Sequence, residues 1–148
     1  MTAKADLAYA AGIIDGEGCI FIGRTWHKRD KRLTHVLQVK VSMIDREALL
    51  WLRQNFGYRR KVLIMENRQT RGWNNVYTWH LTGAGAEKFL RKILPYLKVK
   101  RQQAKVALRF RELLSLPGIK LAAKNLARRE QLCAELKALK KSKKVRSA

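Results

Sequence analysis

Leu7-Ala8-Tyr9-Ala10-Ala11-Gly12-Ile13-Ile14-Asp15-Gly16-Glu17-Gly18 is the stretch on which the fold of this chain turns. Its uncharged run predicts a short helix. Asp6 is placed to cap it, because a carboxylate ahead of the first turn accepts from unpaired amides. A helix apolar on every side is expected to be buried on every side. Ala8, Ala11, Gly12 and Asp15 fall on one face at helical spacing. Small residues on that face admit a second helix at close range, from this chain or from a second copy. Gly16 and Gly18 tolerate backbone angles that other residues avoid. The helix is therefore expected to end there and release Glu17 beside its own unpaired carbonyls. One carboxylate among carbonyl oxygens suits a hard cation of the Mg²⁺ type.

Ala10 to Gly18, A-A-G-I-I-D-G-E-G, resembles the signature of the LAGLIDADG homing endonucleases. Ala11, Gly12, Ile14, Asp15 and Gly18 match its letters, Ile13 keeps an apolar position apolar, and Glu17 stands at the final acid. Pro95-Tyr96-Leu97-Lys98-Val99-Lys100, followed by Gln103-Ala104, is similar to the segment after the second sheet hairpin in single-motif members. The two matches and the elements between them cover most of residues 6 to 116.

The resemblance implies a homodimer whose motif helices pack on the two-fold axis through Ala8, Ala11, Gly12 and Asp15. Two Glu17 carboxylates would then meet over the minor groove, one for each strand. It implies Mg²⁺, for which Mn²⁺ can substitute, held by Glu17 and the Gly16 carbonyl. Lys100 would be the lysine near the attacking water, and Lys98 takes that role if the register shifts by one lysine. Where some relatives have a glutamine near the water, this chain has Val41 or Met43. The family's arginine has only Arg46 as a counterpart, and Glu17 is one methylene longer than the usual Asp.

Composition points the same way. Among 148 residues, Lys and Arg number 33 against 11 acids, a formal charge of +22. Such an excess directs a chain to nucleic acid above other partners. No stretch approaches the 18 or so apolar residues of a membrane span. Met1 to Asp6 lacks a secretory leader. The chain is expected inside a cell, in prokaryotic cytoplasm or in a eukaryotic organelle or nucleus. Cys19 and Cys133 are then expected as reduced thiols.

Downstream of the motif, Cys19 to Thr25 predicts a strand whose near-continuous apolar character leaves its parity open. Trp26 to Arg32 is a charged hairpin connection. Leu33 to Ser42 alternates, with Leu33, His35, Leu37, Val39 and Val41 on one face and Thr34, Val36, Gln38, Lys40 and Ser42 on the other. Asp45 to Phe56 predicts a helix, Lys61 to Glu66 a strand, Gln69 to Asn75 a turn and Val76 to Thr82 a fourth strand. Helices follow from Gly83, from about Lys100 to Leu116, and, after the Pro117-Gly118 break, from Leu121 to Leu139.

The resulting class is α+β, with helices on one face of an antiparallel sheet; the resemblance implies the LAGLIDADG order α-β-β-α-β-β-α and a saddle-shaped sheet. Residues 1–116 form the core, 117–139 a basic amphipathic helix packed on it, and 140–148 a basic, disordered tail. The free sheet face and hairpin tips offer DNA contacts from Arg24, Thr25, His27, Lys28, Arg29, Arg32, Thr34, Gln38, Lys40, Arg68, Arg71, Asn74, Asn75, Thr78 and His80. The function expected is site-specific cleavage of both strands of duplex DNA. An intron RNA maturase or a transcription factor on the same scaffold is the alternative, and neither needs Glu17.

Overall fold

The computed structural model describes residues 2–57, 63–66, 72–115 and 123–141. The elements run α1 (Lys4–Glu17), β1 (Gly18–His27), β2 (Arg32–Met43), α2 (Arg46–Phe56), β3 (Leu63–Glu66), β4 (Val76–Thr82), α3 (Gly83–Ile93), α4 (Arg101–Ser115) and α5 (Ala123–Lys141). The four strands form an antiparallel sheet in the order β1-β2-β4-β3. This is the α+β order that the sequence predicts.

The alternation in β2 decides which face of the sheet the helices cover. Leu37, Val39 and Val41 are wholly buried, and Trp79, Leu81, Ile20 and Ile22 join them from β4 and β1. Leu49, Leu52 and Phe56 of α2 and Phe89 and Leu90 of α3 close this core. Phe89 takes Trp79 and Phe56 edge-on, each with ring centroids 5.0 Å apart. Such pairs add about 0.5–1.5 kcal/mol each beyond the burial of their area. Asp45 starts α2 as expected, its Oδ1 accepting from the amides of Glu47 at 2.9 Å and Ala48 at 3.2 Å.

The organising helix departs from expectation in three ways. It begins at Lys4, so Asp6 lies inside the first turn and reaches back to accept the Ala3 amide at 3.3 Å. It runs through Gly16 and Glu17 straight into β1, and Gly18 is extended, with φ −77° and ψ 150°. Neither glycine uses the left-handed region. Gly18 is needed for closeness instead: a Cβ there would lie 2.7 Å from the Cα and carbonyl oxygen of Ile14. Finally, α1 is buried on one side only. Ala10, Ala11 and Ile14 face the core, whereas Ala8, Tyr9, Gly12 and Gly16 are exposed.

Helix α5 belongs to the same core through Leu132, Cys133 and Leu136. It is also tied to the first hairpin. Glu130 accepts from His35 Nε2 at 2.5 Å and pairs with Arg24 at 3.0 Å. Lys140 and Lys141, expected in the tail, are helical; residues 142–148 and 116–122 lie outside the described residues. Among the described residues no helix is long and apolar enough to cross a membrane. Both cysteines are free thiols, Cys19 exposed and Cys133 buried.

Candidate active site and nucleic-acid interface

Glu17 is exposed at the C-terminal end of α1, where the helix passes into β1. The backbone beneath it is held by a segment far away in sequence. The Asp15 carboxylate accepts the amides of Lys98 and Lys100 at 2.8 Å and of Val99 at 3.2 Å. Lys100 Nζ returns to donate to the carbonyls of Ile14 at 2.7 Å and Asp15 at 2.9 Å. No basic residue stands in the last turn of α1, so Lys100 supplies the cation that a helix C-terminus favours. Burial alone would push the Asp15 carboxyl up. The three amides, together with the Lys100 charge, outweigh it and hold the group below the usual carboxylate value.

Glu17 opens onto a hollow of about 460 Å³, lined also by Cys19, Phe21, Lys40, Ser42 and Lys140. Lys140 arrives from the end of α5, its Nζ 3.4 Å from Cys19 Sγ and 5.7 Å from the Phe21 ring centroid. The Ser42 hydroxyl is bonded to that of Thr78 at 2.8 Å. Among the described residues no cluster of three or more His, Cys, Asp or Glu is present. One chain therefore offers a hard cation a single carboxylate plus terminal carbonyls. Lys100 takes those of Ile14 and Asp15, which leaves the Gly16 carbonyl beside Glu17 as the expected oxygen donor. An all-oxygen, half-complete set of this kind fits Mg²⁺, which keeps waters and shares phosphate oxygens.

The free face of the sheet is polar. Cross-strand pairing sets Lys40 opposite both Cys19 and His80, and Gln38 opposite both Phe21 and Thr82. His80 Nε2 bonds Gln38 Oε1 at 2.8 Å. Burial first, and the nearby Lys40 second, hold the His80 ring below its usual value, so it is neutral near pH 7. At the hairpin tip the turn is only Lys28 to Lys31, because both strands run further than the charged run suggests. There His27 Nε2 meets the Thr34 hydroxyl at 2.9 Å, and that hydroxyl donates to the Thr25 carbonyl at 3.3 Å.

No family model and no curated protein matches this sequence. Solved structures do match. I-CvuI, a homing endonuclease in complex with the I-CreI target, superposes with a TM-score of 0.74 at 23% identity, over 92% of this chain and 82% of that one. The archaeal intron-encoded homing endonuclease I-Vdi141I complexed with DNA gives 0.74 at 20%, over 91% and 84%. The LAGLIDADG homing endonuclease I-SmaMI bound to cleaved DNA gives 0.64 at 18%, over 88% of this chain but only 43% of that one. The fold is that of the LAGLIDADG homing endonucleases.

On this LAGLIDADG scaffold several expected site residues assemble. Glu17, Gly16 and Lys100 meet at one helix end, and Thr34, Gln38, Lys40, Thr78 and His80 share the free face. Lys98 does not join them by its side chain, which is exposed; its backbone amide is what Asp15 uses. Ala11 and Asp15 leave the expected dimer face. Ala11 has zero exposure within this chain, and the Asp15 carboxylate is engaged by residues 98–100. The open face is Ala5, Ala8, Gly12 and Gly16, with Tyr9 alongside.

Other assignments move as well. Arg24 points to the helix side, paired with Glu130, because it shares parity with Ile20 and Ile22. Neither Val41 nor Met43 borders Glu17: Val41 is core and Met43 packs against it, whereas Ser42 lines the hollow. Arg46 is exposed and lies 3.9 Å from Glu47. Lys28, Arg29, Arg32, Thr25, His27 and Asn74 are exposed, as phosphate contacts require, and Asn75 is half-buried. Arg68 and Arg71 lie outside the described residues. Lys140 escaped the sequence reading, since nothing in spacing links it to Cys19, 121 residues earlier.

Proposed function

We propose that this chain is a site-specific endonuclease that acts on double-stranded DNA as a homodimer with Mg²⁺. The observation that carries the reading is the position of Glu17. An exposed carboxylate leaves the end of α1 at the border of a polar sheet face, in a chain of formal charge +22. A pure binder has no use for an acid held there by a dedicated clasp.

Glu17 and the Gly16 carbonyl would hold the cation. When bound, it would supply Lewis-acid activation of water and neutralise charge growing at phosphorus. The protein's own part is preorganisation. Asp15 and Lys100 fix the last turn of α1, so Glu17 is presented without reorganisation. The free sheet face and the basic hairpin tip would hold the duplex, with phosphate contacts setting position and base contacts setting sequence. A two-fold copy would bring a second Glu17 for the other strand and a partly palindromic target.

The test is cleavage of a randomised library of duplex DNA, with and without Mg²⁺, by wild type and Glu17→Gln. Wild type is expected to cut both strands only with the metal. The variant is expected to bind within about tenfold of wild type, since phosphate contacts persist, yet leave the DNA intact. Binding without cutting by wild type would favour the maturase or transcription-factor alternative.

A further inference from the structure

The amide of Gln38 lies across the sheet. Its oxygen is bonded to the ring of His80 on β4. Its nitrogen lies over Gly23 on β1, where even a Cβ would sit 2.1 Å from it. Gly23 is therefore a seat for this side chain, and any larger residue would displace it. Bonding to a carbonyl oxygen makes His80 Nε2 the protonated ring nitrogen. Burial first, and the charge of Lys40 opposite it in the register second, keep the ring neutral. Among the described residues the Gln38 nitrogen makes no hydrogen bond.

Glutamine ordinarily recognises adenine because it both donates to N7 and accepts from the N6 amine. Here the oxygen is turned towards β4 and bonded to the His80 ring, which leaves the nitrogen as the half of the amide without a partner among the described residues. In the major groove guanine offers two neighbouring acceptors, N7 and O6, whereas cytosine offers only a donor. We propose that Gln38 reads a base by donation alone, with guanine preferred, and that His80 is the positioning residue that enforces this by holding its amide oxygen. Lys40, two residues on and pointing the same way, also only donates. The pair is thus matched to a run of acceptors. The inference rests on the sheet face being a DNA surface, as proposed above.

The experiment is selection of bound duplexes from a randomised library, which needs no cleavage. Gln38→Ala first maps the positions read, as the symmetric pair where base preference flattens. At those positions wild type is expected to select guanine. His80→Phe keeps a ring but frees the Gln38 oxygen, so preference should pass to adenine, with roughly a tenfold exchange and no change elsewhere. Gly23→Ala should erase the guanine preference with His80 intact. Guanine retained by His80→Phe, or adenine or cytosine selected by wild type, would overturn the inference while leaving DNA recognition standing. Should wild type select no base anywhere, the proposed DNA recognition fails as well.

Discussion

Asp15 and Lys100 hold each other through their backbones: the carboxylate of one accepts the amide of the other at 2.8 Å, and the ammonium returns to the Asp15 carbonyl at 2.9 Å. Each partner serves one orphaned end. Asp15 satisfies amides just ahead of α4, and Lys100 satisfies carbonyls at the end of α1. The clasp joins segments 85 residues apart immediately before Glu17. The position of Glu17 is therefore set by tertiary structure as well as by its own helix.

Asp15→Ala should destabilise the fold by about 2–3 kcal/mol, because amides that bonded a charged acceptor lose it. The same carboxylate predicts a pH dependence. Its folded pKa is depressed, so its contribution is present above the unfolded carboxylate value and is lost as pH falls through the folded one. Wild-type stability should drop through that acid range. An Asp15→Asn variant should be less stable at neutral pH and flatter below it. Denaturant melts at several pH values would check this, and an equally steep acid profile in the variant would assign the loss to other carboxylates.

The two lysines of the Lys98-Val99-Lys100 segment should behave differently. Lys100→Met removes the cation at the end of α1 while keeping the stem. It should cost about 1–2 kcal/mol, and if Glu17 is catalytic it should lower the cleavage rate about 100-fold, as loss of one preorganised donor does. Lys98→Ala leaves the backbone amide that Asp15 uses, so stability should stay within about 0.5 kcal/mol. Comparable losses of stability in the two variants would contradict the clasp.

Glu130 fastens α5 to the first hairpin. The His35 side chain has zero exposure, and its Nδ1 has no partner among the described residues. Glu130→Ala would leave Nε2 unpaired as well, at a cost of about 1–3 kcal/mol. Glu130→Gln keeps an acceptor and should cost less. Hydrogen exchange should show α5 losing protection before the sheet. If β1 and α5 instead lose it together and equally in both variants, the Glu130 contact is not the fastener.

How much of this could be read from residues alone varied with the kind of pattern. The alternation over Leu33 to Ser42 placed Gln38 and Lys40 correctly, because a period of two leaves one choice of face once the core side is known. Cys19-Ile20-Phe21-Ile22 has no such contrast, so the pattern does not tell that Cys19 and Phe21 line the hollow or that Arg24 lies on the helix side. Ala8 and Ala11 illustrate a second limit. They are chemically identical, yet one is exposed and the other has zero exposure, and only the elements packed on α1 decide which. Asp15, Gln38 and Lys140 share a third limit: their partners lie far along the chain, beyond any local spacing rule.

The proposed dimer gives a prediction in which association and stability separate. A Cβ built at Gly12 or Gly16 meets nothing within 4 Å among the described residues. Both lie on the exposed side of α1, with Ala5 and Ala8 in line. Inside a helix, Gly costs up to about 1 kcal/mol relative to residues with a side chain, so these glycines do not serve the isolated fold. A second copy of α1 packed on that stripe would account for them, because small residues let helix backbones approach. Gly12→Leu should therefore leave the melting temperature of the monomeric fold unchanged or slightly raised. It should abolish the dimer and, with it, double-strand cleavage. The variant spares Gly16, whose carbonyl is assigned to the cation. Light scattering on wild type and variant, paired with thermal melts at matched dilution, measures both quantities. A wild-type chain that is monomeric alone and on its DNA would remove this use of the stripe. So would a Gly12→Leu dimer as tight as wild type.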